Sequence, residues 1–264
     1  MEHVNPGGSE AEAPDVAKIS AGHVFTWIGA GISDLRAAPL QSGFYGVVFA
    51  LVGYLAIGLF GDLPYLVTAM TTGFLLLAPF LAIGLYRISQ QLEANERPRL
   101  ADSMTAWRRN YGSIGLFAAF LGFAFIFWER ISAILFALFH GLDLPEVDNL
   151  GGWIFMLSED PVFLVLYIGL GGLAAAFVFA CSVVSIPLML DRRIDPVTAL
   201  ITSVRATLNN RFALAVWAVT IVALVAIGIA TWFLGLIVIM PILGHASWHA
   251  YRDLVRSDGP GPTG

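Results

Sequence analysis

The chain has 264 residues, of which 58% are hydrophobic and only 12% charged, against about 25% charged in soluble proteins. Its mean hydropathy of +0.78 excludes a pair of soluble domains and points to one membrane-embedded bundle. Cys181 is the sole cysteine, which rules out an intramolecular disulfide and a multi-cysteine metal site; the net charge of −5 matters less than where the charges fall.

Residues 1–20 are rich in Glu, Gly, Ala and Pro and read as a disordered acidic tail. They contain no apolar core of a secretory signal, so the first span is expected to act as an uncleaved insertion signal. The membrane domain is expected over 21–256, with a second disordered tail at 257–264. Ala21 to Ala38 forms an amphipathic pattern, with Val24, Trp27, Ile28 and Leu35 among His23, Ser33, Asp34 and Arg36. Such a helix suits the membrane surface. The first span is expected over about 43–60, and the second over 65–86 with Pro79 as a kink. Leu100, Met104 and Trp107 against Asp102, Arg108 and Arg109 predict a second amphipathic helix.

Span three is expected over 112–128, stopped by Glu129 and Arg130. The segment 131–157 is open between a helical continuation, an interfacial run and a re-entrant piece. Span four is expected over 161–190, capped by Ser158, Glu159 and Asp160. Gly172, Ala176 and Ala180 repeat every four residues inside it, a close-packing stripe. A third amphipathic stretch follows, with Val197, Leu200, Ile201, Val204 and Leu208. Phe212 to Tyr251 then carries no charge. As one helix it would reach ~60 Å, about twice the hydrocarbon thickness of a bilayer. It must cross twice, as spans 212–230 and 233–251 with a turn between. The expectation is an all-α membrane protein: a six-span transmembrane bundle with three amphipathic cytoplasmic surface helices.

Basic residues set the orientation. With six spans, thirteen of the fourteen Lys and Arg residues share one face, from Lys18 and Arg36 to Arg252 and Arg256. The other face holds Arg130 against Asp62, Glu129, Asp143, Glu146, Asp148, Glu159 and Asp160. Both termini are therefore expected in the cytoplasm, and the bilayer is the first partner. The arginine-bearing helices suit anionic headgroups. Helices flanked by spans make nucleic acid an unexpected partner.

No Asp, Glu, Lys or Arg sits in the middle of a span, which counts against a proton-coupled transporter. His245 and His249 lie four apart on one helical face, and Asp253 continues that row. With His23 on the same expected side, these four are the metal-ligand candidates, the carboxylate as third ligand or outer shell. The competing reading places His249, Trp248 and Tyr251 in the interfacial aromatic belt, with His245 hydrogen-bonding a neighbouring helix. Two histidines without a firm third ligand favour that second reading, so no metal or haem is expected to be needed. No serine, histidine and acid spacing suggests hydrolysis, and catalysis is not expected.

The closing stretch from Phe233 to Arg252, above all Gly244-His-Ala-Ser-Trp-His249, resembles the end of a bacterial family of predicted integral membrane proteins without assigned function. Some members are labelled cytochrome c oxidase subunits. Trp27, Gly31 and Asp34-Leu-Arg36 leading into Tyr45-Gly46 resemble the same family. The resemblance spans roughly 24–256 and implies a bacterial inner-membrane protein, but lends no catalytic residue. Three functional classes follow: an accessory or assembly partner of another membrane complex, such as a respiratory one, or of itself; a transporter or channel for a small neutral or lipidic substrate; and a metal- or haem-binding redox protein on His245 and His249. The first is the expected one.

Overall fold

The computed structural model describes residues 14–60, 80–141 and 160–255. In chain order it contains α1 (His23–Ala37), α2 (Pro39–Phe60), α3 (helical residues 80–93), α4 (Leu100–Met104), a 3₁₀ turn (Ala106–Asn110) and α5 (Tyr111–His140). There follow α6 (Pro161–Ser182), α7 (Ser185–Arg192), α8 (Pro196–Asn209), α9 (Arg211–Ala230) and α10 (Leu236–Leu254). An isolated bridge between Val16 and Val255 is the strand-like pairing recorded among the described residues.

Three stretches are long and apolar enough to cross a membrane: Ala106–Phe139, Pro161–Arg192 and Arg211–Ala230. A fourth is added if α1 and α2, bent by 109° at their junction, count as one span. The protein is thus an all-helical membrane protein with three to four candidate spans. The expected first span lies within α2, whereas most of the expected span 65–86 lies outside the described residues. The turn expected after span five is present at 231–235, where Trp232 and Phe233 adopt left-handed φ values of 56° and 65°. Thr231 holds that turn by donating to the Gly228 carbonyl at 2.8 Å and accepting from the Gly235 amide at 2.9 Å.

Three expectations are corrected. First, the tail expected over 1–20 does not reach residue 20. The Ala17 amide donates to the Leu254 carbonyl at 2.9 Å. Buried Asn210 donates to the Ala17 carbonyl (2.9 Å) and accepts from the Ile19 amide (2.8 Å). One asparagine satisfies a strand-like segment that has no sheet to join.

Second, Glu129 and Arg130 do not stop span three. α5 runs on for 30 residues, ~45 Å at helical rise, until Gly141 at φ 80° ends it. Two charges at the end of an apolar run leave the backbone bonding of a helix intact. Third, the helix expected around residues 100–110 is split at Thr105 into α4 and the 3₁₀ turn.

The expected span four agrees with the candidate span Pro161–Arg192, but its helix is interrupted at Val183 and Val184. Pro187 has no amide proton and its ring crowds the carbonyl four residues back, that of Val183. In a continuous helix the Val184 amide would donate to the Ala180 carbonyl. Ser203 of α8 instead accepts from the Val184 amide (3.1 Å) and donates to the Ala180 carbonyl (2.7 Å). The start of α6 follows expectation, with Asp160 accepting from the Val162 and Phe163 amides and Pro161 in the first turn.

Among the described residues, nothing packs closely on the first two positions of the α6 stripe. Gly172 and Ala176 are exposed, and a Cβ on Gly172 would meet nothing within 4 Å. α8 also turns its apolar side outward. It buries Ala199, Thr202, Ser203 and Ala206, while Val197, Ile201 and Leu208 are exposed.

Candidate functional site: a sealed histidine junction

The site begins with a proline. Pro241 lies inside α10 and leaves the Ile237 carbonyl without its helical donor. That carbonyl faces Gly46 of α2 so closely that a Cβ there would overlap it. Gly31 of α1 approaches Ala246 in the same way; a Cβ would lie 3.0 Å from its backbone nitrogen. Gly244 leaves room for Leu85 of α3. Small residues thus let α1, α2 and α3 close on three sides of α10, the arrangement by which membrane helices gain packing energy.

His245 is sealed by this closure, with no exposed surface. Its Nε2 lies 2.9 Å from Ser42 Oγ on α2, and its Nδ1 lies 2.7 Å from Ser89 Oγ on α3. Ser89 donates its single proton to Asp34 Oδ2 on α1 at 2.6 Å. Its oxygen must then accept from His245 Nδ1–H, and Nε2 accepts from Ser42. This bonding network assigns a neutral Nδ1–H tautomer. His249, one turn further on, donates from Nε2 to the same Asp34 Oδ2 at 2.9 Å. A chain of hydrogen bonds therefore joins four helices in the order Ser42, His245, Ser89, Asp34, His249.

Asp34 stands outside the expected spans. Burial raises its pKa, but the hydrogen bonds from His249 and Ser89 and the nearby histidine charges outweigh it and hold the carboxyl below its ordinary value. Around the junction runs a wetter ring. Arg252 lies 3.4 Å from Glu93 and 3.7 Å from Asp191. Asp191, at the end of α7, accepts from Tyr251 at 2.7 Å and from Gln90 at 2.9 Å.

The four sequence candidates separate into different surroundings. His245 and His249 share Asp34 as neighbour. Asp253 accepts from Trp27 Nε1 at 2.8 Å, tying α10 to α1. His23 bonds Ser20 at the start of α1. Among the described residues, no group of three or more His, Cys, Asp or Glu is arranged to hold a metal ion.

Ser42, His245 and Asp34 stand in the order of a hydrolase triad, with Ser89 inserted. Ser42 and Ser89 are both fully buried, so no substrate carbonyl can reach either oxygen. What the arrangement can do is lock helices in one register through the linked hydrogen bonds of Ser42, His245, Ser89, Asp34 and His249. Ser42, Ser89 and Asp34 were not legible as partners of the histidines, because Asp34 and His249 are 215 positions apart. The one sequence signal was their placement, small polar residues at helix positions flanking apolar runs.

A family model described as "Predicted integral membrane protein (DUF2189)" matches residues 66–191. No curated protein and no solved structure matches the chain. The matched residues do not include Gly244 to His249, where the resemblance was most specific, and the description carries no oxidase label. The membrane family that the sequence resembles is nonetheless the one matched: over 66–191 the chain is similar to the predicted integral membrane proteins of DUF2189, a family of unknown function.

Proposed function

We propose that the protein is a six-crossing protein of the bacterial inner membrane, with both termini in the cytoplasm. It acts by association, as a non-catalytic accessory or assembly partner of another membrane complex. The observation that carries this reading is the uncovered arm. Only 6% of the apolar window in Pro161–Arg192 is buried, and its Gly172 and Ala176 are exposed with no helix of the described residues against Gly172. Small residues at every fourth position allow a second helix to approach closely in a bilayer, where backbone proximity rather than hydrophobicity drives association. The paired chain ends support an even number of crossings, and the basic residues support a cytoplasmic side for them. The alternatives have less to stand on. The backbone groups freed at Pro187 are occupied by Ser203 rather than open to a substrate, and both ring nitrogens of His245 are engaged by serines.

Mild-detergent purification with mass spectrometry tests the association, sharpened by Ala176→Cys in a Cys181→Ala background. The expected result is a disulfide or bifunctional cross-link from position 176 to one co-purifying membrane polypeptide. A monodisperse, solitary protein with no cross-link from 176 would sink it. Orientation is read separately from Tyr111→Cys, an exposed position. A membrane-impermeant maleimide should label it only after the cells are broken.

A further inference from the structure

Where α5 begins, an open cleft of about 470 Å³ is lined by Arg108, Arg109, Tyr111, Ser113, Leu116 and Pro196, among others. Its composition is divided. At one end stand two exposed guanidinium groups; at the other, Tyr111 and Leu116 are 72% and 61% exposed and lead onto the uncovered face of α5. Trp107, also exposed, lies beneath the Arg108 guanidinium at 5.4 Å, so the basic end is flanked by an amphipathic ring of the kind found at headgroup depth. No carboxylate lines the cleft. Asp195, the acid next to Pro196 in sequence, is turned into its own helix, where it accepts from the Val197 and Thr198 amides at 2.9 Å.

The arginines are also held in an unrelieved arrangement. Gln90 Oε1, a neutral oxygen, accepts from both Arg109 (3.2 Å) and Arg87 (2.7 Å). Burial, and then the charge of Arg109, push Arg87 below its ordinary value. Arg87 has Glu96 at 3.8 Å, but no carboxylate within salt-bridge distance of Arg108 or Arg109 is recorded among the described residues. Arg109 on a neutral acceptor and Arg108 over Trp107 thus stand side by side at the open cleft, and such guanidinium groups suit a phosphate, which they bind through paired N–H donors.

We infer that this cleft is a binding site for one anionic phospholipid, its phosphodiester headgroup on Arg108 and Arg109 and its first acyl carbons along Tyr111 and Leu116. The lipid, not a soluble phosphate, is the occupant, because the cleft continues into an apolar, membrane-facing helix surface. The inference rests on the proposed function only in placing the foot of α5 at a headgroup layer. The maleimide experiment above reports on orientation by itself, and both leaflets can supply the ligand.

The test is native mass spectrometry of the full chain taken from vesicles of phosphatidylglycerol and phosphatidylcholine in equal amounts. Wild type should keep one phosphatidylglycerol in preference to phosphatidylcholine. Arg108→Gln with Arg109→Gln, both at exposed positions, should lower that preference about thirtyfold, as expected for losing two charges at the surface. Arg205→Gln, on α8 and away from the cleft, should leave it unchanged. No preference in wild type, or equal losses in the double variant and the Arg205 control, would overturn the site.

Discussion

α10 and α6 are helices of similar length, 19 and 22 residues, treated in opposite ways by the fold. α10 carries two histidines, an arginine and an aspartate, yet it buries Leu236, Pro241, Leu243 to Ala246, Trp248, Ala250, Tyr251 and Leu254. α6 has no charged residue and buries only Phe163 and Cys181. In water the more apolar helix would be the inner one. In a bilayer lipid tails are as good a solvent for leucine as another leucine is, so apolar character does not decide what is inside. Polar groups decide it, since each must find a partner. α10 is central because His245, His249 and the Ile237 carbonyl need protein around them. α6 can remain at the edge because it needs none.

The largest effect that would break this comparison comes from glycines. Gly46→Val places a branched side chain against the Ile237 backbone, which cannot move aside, and should cost about 3 kcal/mol or abolish folding. Gly172→Val on α6 should change stability by less than about 0.5 kcal/mol. Thermal unfolding in a fixed detergent compares the two, and equal shifts would show that α10 is not tightly enclosed. Next comes His245→Ala, which leaves the Ser42 hydroxyl without its acceptor and the Ser89 oxygen without its donor in a sealed space. It should cost about 2–3 kcal/mol, read as a loss of melting temperature with unchanged helix content. A neutral result would mean that water replaces the imidazole.

A smaller loss is expected at the border of the two regions. Ser203→Ala removes the hydroxyl that bridges the break between α6 and α7, leaving the Val184 amide and Ala180 carbonyl unpaired, at about 1–2 kcal/mol. Faster hydrogen exchange confined to residues 180–190 would locate the effect. The smallest is a pH effect. Asp34 has a folded pKa below the ordinary 3.8, so the unfolded chain binds its proton first on acidification. The stabilisation is fully present above that ordinary value and declines as pH falls through the folded pKa. Wild type should therefore lose stability more steeply than Asp34→Asn as pH falls below the ordinary carboxylate value of 3.8, and parallel curves would remove Asp34 from the junction's charge balance.

The sequence was legible wherever a signal is local. Apolar length announced the helices, Asp160-Pro161 announced one start, and the charge-free run from Phe212 announced a turn near 231–235. It was misleading at Glu129-Arg130, because a helix tolerates charge at its rim, and it did not show the helical interruption at Val183 and Val184. The candidate site was half visible. His245 and His249 stood out by their spacing, but their partners Ser42, Ser89 and Asp34 are ordinary residues in distant segments.

Membrane residence and helical class were determined by the sequence itself, because solvation of side chains by lipid and backbone self-bonding are properties of each segment alone. Which helix lies at the centre was decided only by tertiary structure. It depends on whether glycines at 31, 46 and 244 come into register with a proline-freed carbonyl and a histidine, and register between distant helices has no signature in any one of them. The same packing turned a pair of potential metal ligands into a hydrogen-bonded lock.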